Sequence, residues 1–222
     1  MSATNTMEST DLRLKCPFTM LISGPSNCGK TTFCKRLLRN RNSIYNVKPN
    51  RVYWFYKTYQ PSYDEMLQDG IVNEFVQGLP TMDWIDENIN LSNCTMVIDD
   101  MALEVTDDTA KIFSIASHHY NLNVLFITQN LFTRNNAFRY ISLNTTYNVI
   151  FKNPRDKSTI TNFAKQFAPG KTKTLTAIYS YATRKPHSYL FIDYHQETPE
   201  DNRILSNILG ENDLPIHIYQ MK

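Results

Sequence analysis

Gly24-Pro25-Ser26-Asn27-Cys28-Gly29-Lys30-Thr31 has the spacing G-x-x-x-x-G-K-T, and Thr32 follows it. Each residue type suits contact with a phosphate chain. Gly24 permits a tight turn, and Gly29 lets the backbone come close to an anion. Lys30 is a long cation able to reach the β- and γ-phosphates, and the Thr31 hydroxyl suits Mg²⁺. The expected ligand is ATP with Mg²⁺, cradled by Gly24, Pro25, Ser26, Asn27, Cys28, Gly29, Lys30, Thr31 and Thr32.

Two further places could act on that phosphate. Val97-Ile98-Asp99-Asp100 is an apolar run ending in two carboxylates. Asp99 would hold Mg²⁺ through its water shell, and Asp100 would polarise a water for attack on the γ-phosphate. Phe126-Ile127-Thr128-Gln129-Asn130 is another apolar run, ending in an amide. Gln129 could orient the attacking water or sense the γ-phosphate. An acidic turn and an ordinary polar strand end are the competing structural readings of these two sites.

These side chains act together only if strands deliver them to one edge. The run 18–23 reads as a strand and 31–38 as a helix, the arrangement that aims backbone N–H groups at a phosphate. Strands are expected at 51–56, 72–76, 94–99, 122–128, 147–152 and 188–193, the last closing the sheet. Helices are expected at 62–68, 81–89, 106–120, 138–143 and 156–167, with a polar tail after 193. Such alternation predicts an α/β P-loop NTPase with a mostly parallel central sheet and helices on both faces. At least one extra strand between the loop and the double Asp points to the branch with an added catalytic acid.

The chain has 222 residues, 41% of them hydrophobic and 12% aromatic, and a net charge of +2. One domain over residues 15–222, behind a disordered polar lead-in at 1–14, is the expectation. The charge neither requires nor excludes nucleic acid. Cys16, Cys28, Cys34 and Cys94 lack metal-ligand spacing and read as free thiols in a reducing compartment inside the cell. No run is long and apolar enough to span a bilayer, and none reads as a secretion signal.

Several functions fit a bare phosphate loop. A small nucleotide kinase of the guanylate type would need an arginine-bearing lid; Arg134 and Arg139 are thin support for one. A slowly hydrolysing, nucleotide-gated binding module also remains open. Lys35, Arg36, Arg39 and Arg41 read as a solvated helix face, with DNA phosphate contact the alternative. Tyr53, Trp54, Phe55, Tyr56 and Tyr59 read as strand core, with adenine stacking the alternative. His118 and His119 diverge on a helix and cannot chelate one metal together.

ISGPSNCGKTTF, VIDDM, SHHYNLNVLFITQNLF and RYISLNTTYNVIFKNPRDKS together resemble the packaging ATPases of Polinton (Maverick) elements and adinto-like viruses. Those are similar in turn to the packaging ATPases of poxviruses and relatives in the FtsK–HerA superfamily. The resemblance covers roughly 18–193. It implies a RecA-like ATPase that assembles as a homo-oligomeric ring, drives double-stranded DNA into a capsid and docks on a capsid or portal-vertex protein. A host nucleus or viral assembly site would suit that role. The family's loop lysine falls on Lys30, its paired acids on Asp99 and Asp100, and its sensor glutamine on Gln129. Many members of the wider superfamily carry Glu where Asp100 stands. Such rings commonly supply an arginine in trans, for which Arg139 ranks first and Arg155 second, with Arg134 also placed for it.

Overall fold

The computed structural model describes residues 11–89, 93–210 and 215–221. Strand β1 (Thr19–Ser23) leads through the glycine-rich loop into helix α1 (Lys30–Arg39), and a short helix α2 (Arg41–Ile44) follows. Then come β2 (Arg51–Tyr56), α3 (Ser62–Gln68), β3 (Glu74–Gln77), α4 (Met82–Asn88) and β4 (Cys94–Asp99). Helix α5 (Asp107–Lys111) runs through a π turn (Ile112–Ala116) into α6 (Ser117–His119). The sequence expectation of one continuous helix here is corrected by that π turn.

After β5 (Leu122–Thr128), α7 (Asn136–Leu143), β6 (Tyr147–Phe151) and α8 (Lys157–Phe167) come as expected. Helix α9 (Thr172–Ala182) was not anticipated. Strand β7 (Tyr189–Asp193) does not close the sheet: β8 (Ile204–Ser206) and β9 (His217–Ile218) extend it from the supposed polar tail. Ile204 and Leu205 are buried there, with Leu205 opposite Phe191.

The sheet order is β3-β2-β4-β5-β1-β6-β7-β8-β9. The first six strands are parallel and the last three antiparallel. Side chains alternate between faces, as the two-residue period of a strand demands. Met20 and Ile22 join Phe33, Leu37 and Tyr63 on one face. Leu21 joins Ile85, Phe113, Phe138, Phe163 and Leu175 on the other. Each large side chain so buried stabilises the fold by about 1.5–3 kcal/mol, which commits both faces to helical cover. Tyr53, Trp54 and Phe55 are fully in this core, so the strand-core reading holds for them, whereas Tyr59 is exposed.

Residues 1–10 of the expected lead-in lie outside the described residues. Within 11–14, Leu14 is buried, donates to Ile44 O at 2.8 Å and accepts from Asn46 N at 2.9 Å, so packing begins before residue 15. No described helix is long and apolar enough to cross a membrane.

Strand order positions the chemistry. β5 lies between β1 and β4, with Ser23 opposite Thr128 and Ile127 opposite Asp99. The glycine-rich loop, Gln129 and the double Asp therefore leave the sheet side by side at the carboxyl ends of parallel strands. That is where open α/β sheets bind ligands.

Candidate nucleotide site

The loop is built from backbone conformations that its sequence permits. Asn27 has φ +63° and Gly29 φ +108°, both in the left-handed region. Asn tolerates that region and Gly occupies it freely. A Cβ on Gly24 would stand 2.7 Å from both Cys28 Sγ and Phe151 Cβ, so only glycine fits that turn. Gly29 caps α1 without a side-chain bond. The first-turn N–H groups of this ten-residue helix therefore point out as donors for an anion. Lys30 is buried and folds over the loop, donating from Nζ to Gly24 O at 2.7 Å and Pro25 O at 3.0 Å.

Asp99 ends β4 almost fully buried and accepts a hydrogen bond from Tyr63 Oη at 3.1 Å. Burial pushes its carboxyl up to about 6, while the Tyr63 hydrogen bond and the Lys30 charge pull the other way. Asp100 comes next with φ +56°, a left-handed conformation that Asp and Asn accept better than other residues with side chains. Its N–H donates to Ile127 O at 3.0 Å, and its Oδ2 accepts from Gln129 Nε2 at 2.8 Å. The paired acids and the glutamine, far apart in sequence, form one constellation.

Arg139 is exposed on α7 and Arg155 is exposed in the loop after β6; Arg134 is exposed before α7. The loop carrying Arg155 flanks the site, because Asn153 and Asp156 share a small cleft with Gly24 and Gln129. The basic run on α1 and at the start of α2 is bound to its neighbours. Lys35 pairs with Glu65 at 2.7 Å and Arg39 with Asp69 at 2.5 Å, while Arg41 donates to the Leu38 and Gly70 carbonyls. These contacts favour a helix–helix tie over a DNA face. His118 and His119 are exposed, and no cluster of metal-ligating side chains occurs among the described residues. All four cysteines are free thiols; burial raises Cys28 and Cys34 above the usual thiol range.

Two residues of the site were not singled out from the sequence. Tyr63 reaches Asp99 from α3, and His187 reaches the glycine-rich loop from the turn before β7, placing Nδ1 3.1 Å from Cys28 O. Neither sits in a local pattern that could announce it.

No family model and no curated protein matches the chain. Solved structures do. The DNA-packaging ATPase B204 of Sulfolobus turreted icosahedral virus superposes with a TM-score of 0.55 at 11% identity, over 92% of this chain and 98% of that one. The genome-packaging NTPase B204 of Sulfolobus turreted icosahedral virus 2, solved with ATP-gammaS, gives 0.54 at 13%, again over 92% and 98%. The same protein with AMP gives 0.52 at 11%, over 82% and 94%. At such identities the likeness shows the fold: a P-loop NTPase sheet with helices on both faces.

Proposed function

We propose that the chain is an ATP-hydrolysing motor that moves double-stranded DNA, the packaging motor of a DNA virus or Polinton-type element. The observation carrying the hydrolase part is the Asp100–Gln129 pair beside the Lys30 loop. Asp100 is the base that takes a proton from water, and Gln129 holds that carboxylate in place. A nucleotide kinase gains nothing from a water-activating carboxylate, which would waste ATP. The motor part is supported by the sequence resemblance and by a fold shared with two packaging NTPases over nearly the whole of each chain.

Hard oxygen donors suit Mg²⁺, and Thr31 at the start of α1 with buried Asp99 offers such a set. When bound, the ion neutralises charge on the β- and γ-oxygens. Lys30 leaves its loop carbonyls to meet the same phosphates. In a ring, Arg139 or Arg155 of a neighbour completes the charge balance, and a capsid or portal-vertex protein anchors the assembly.

The test is ATP hydrolysis by the purified chain with and without double-stranded DNA. Stimulation should be independent of sequence, because the contacts are to phosphate, and should fade as salt rises. Phosphorylation of GMP instead would establish the kinase. A slow rate indifferent to both would establish a nucleotide-gated binding module.

Asp99 predicts a pH dependence. Its carboxyl is raised from 3.8 to about 6, so the folded protein favours the protonated form. Its contribution to stability therefore falls as pH rises through that window, while metal binding, which needs the anion, grows. Mg²⁺ affinity measured with a non-hydrolysable ATP analogue should climb steeply around pH 6 and level off above it. Tyr63→Phe removes a hydrogen bond that favours the anion and should move the climb to higher pH, with the plateau unchanged. A climb that stays in place would show that Tyr63 does not tune Asp99.

A further inference from the structure

A groove of about 250 Å³ lies between the end of α7 and the last turns of α8. Leu131, Phe132, Leu143, Phe163, Phe167 and Tyr194 line it. The Phe163 and Phe167 rings stack with centroids 5.8 Å apart, and Phe167 meets Tyr194 edge-on at 5.7 Å. An aromatic wall is therefore already in place. Leu143 is 73% exposed and Phe132 38%, so apolar side chains of the groove also face water. The groove is smaller than sites for drug-sized ligands, about 300–1,000 Å³, and suits one large side chain.

Asn148 of β6 also lines the groove and is only 4% exposed. Its Nδ2 donates to Tyr194 Oη at 3.0 Å, while its Oδ1 is buried with no hydrogen-bond partner. A buried acceptor without a donor is costly, so an occupant that brings an N–H gains more than contact area. Tryptophan fits both demands: it is large and apolar, and its indole N–H only donates. A second copy of this chain offers no free tryptophan. Trp54 is fully buried, and Trp84 packs edge-on against Tyr53 and Phe55.

Charge narrows the partner further. Between Asp108 and Asp193 the sequence has eleven Lys or Arg and a single acid, Asp156. That acid is taken up at the start of α8, where it accepts from Ser158 N and Thr159 N. Lys157 and Lys165 of α8 form no ion pair among the described residues. Lys165 immediately precedes Gln166, which lines the groove. Double-stranded DNA would satisfy these cations, but its phosphates bring neither an apolar group nor a donor to a recessed groove. An acidic peptide with an aromatic anchor brings all three.

We propose that this groove holds the tryptophan of an acidic segment in a partner protein other than this chain. The inference is independent of the ATPase reading, since the groove shares only Leu131 with the cleft at Gly24 and Gln129.

Fluorescence anisotropy on the full chain tests it. The probe is a labelled nonapeptide with one central tryptophan between acidic residues. It should bind about tenfold more tightly than the same peptide with phenylalanine, the scale of one hydrogen bond to a buried acceptor. A version with lysines in place of the acids should not bind. Asn148→Leu removes the acceptor and should abolish the preference for tryptophan over phenylalanine. Leu143→Glu changes an exposed residue and should weaken the acidic peptide by about tenfold or more. NOEs from the peptide indole to the Leu131 and Leu143 methyls give a second readout, which stands alone if Asn148→Leu does not fold. The proposal is overturned if the tryptophan peptide does not bind, if it binds no better than the phenylalanine peptide, or if the NOEs fall elsewhere. A short DNA duplex that displaces the peptide and is itself lost in Leu143→Glu would assign the groove to DNA and overturn it. An oligomer of the parent that excludes the peptide and dissociates in Leu143→Glu would make the groove a subunit interface, again overturning it.

Discussion

Asp100→Asn is expected to bind ATP as the parent does and to hydrolyse it at least about a hundredfold more slowly, the scale of losing a general base. The substitution is well controlled by geometry. Asn accepts the left-handed backbone that Asp100 adopts at φ +56°, and its side-chain oxygen can still receive the Gln129 amide. What disappears is the basic carboxylate. Lys30→Ala is the companion. It removes the ammonium that bonds Gly24 O and Pro25 O and that would meet the β- and γ-phosphates, so nucleotide binding itself should vanish. Titration with a fluorescent ATP analogue and release of phosphate read the two effects separately. Full activity in Asp100→Asn would remove Asp100 from the chemistry.

The parts of this site legible in sequence are those whose chemistry demands adjacent residues. Gly24 to Thr32 are contiguous, as one turn of backbone that is to wrap a phosphate requires. Asp99, Asp100 and Gln129 were legible because each ends an apolar run, and the carboxyl ends of parallel strands gather at one edge. Tyr63 and His187 were not. They reach their partners across 36 and 159 residues, through packing that no local spacing encodes. The fold shows the same division. Strands such as Cys94–Asp99 and Leu122–Thr128 are buried along their whole length and stand out. β8 has three residues and β9 two, too few to display a period, and β9 is exposed at the sheet edge. Helix α9 hides because its threonines and tyrosines are weak helix formers. What fixes it is tertiary: buried Leu175, and Tyr179, whose Oη donates to Phe151 O and accepts from Asn153 N, each at 3.0 Å.

On the proposed ring reading, the loop that Tyr179 braces bears on which arginine would meet the γ-phosphate. Arg155 is exposed on that loop, whose Asn153 and Asp156 share a cleft with Gly24, whereas Arg139 is exposed on α7, which contributes no residue to that cleft. A residue that serves the next subunit must be free of its own site, and Arg139 meets that condition better. Its removal should cost about three to five powers of ten in hydrolysis rate, as for arginines supplied in trans. Complementation separates trans from cis. Lys30→Ala has a ruined loop and an intact Arg139; Arg139→Ala has the reverse. Each alone should be inactive. Mixed, they form some interfaces that join a sound loop to a sound arginine, and hydrolysis should return at a fraction of the parent rate, rising with the share of such interfaces. An inactive mixture in which gel filtration shows mixed rings would exclude Arg139 as a trans residue. The same pairing with Arg155→Ala would then decide whether the arginine beside the loop acts across the interface instead.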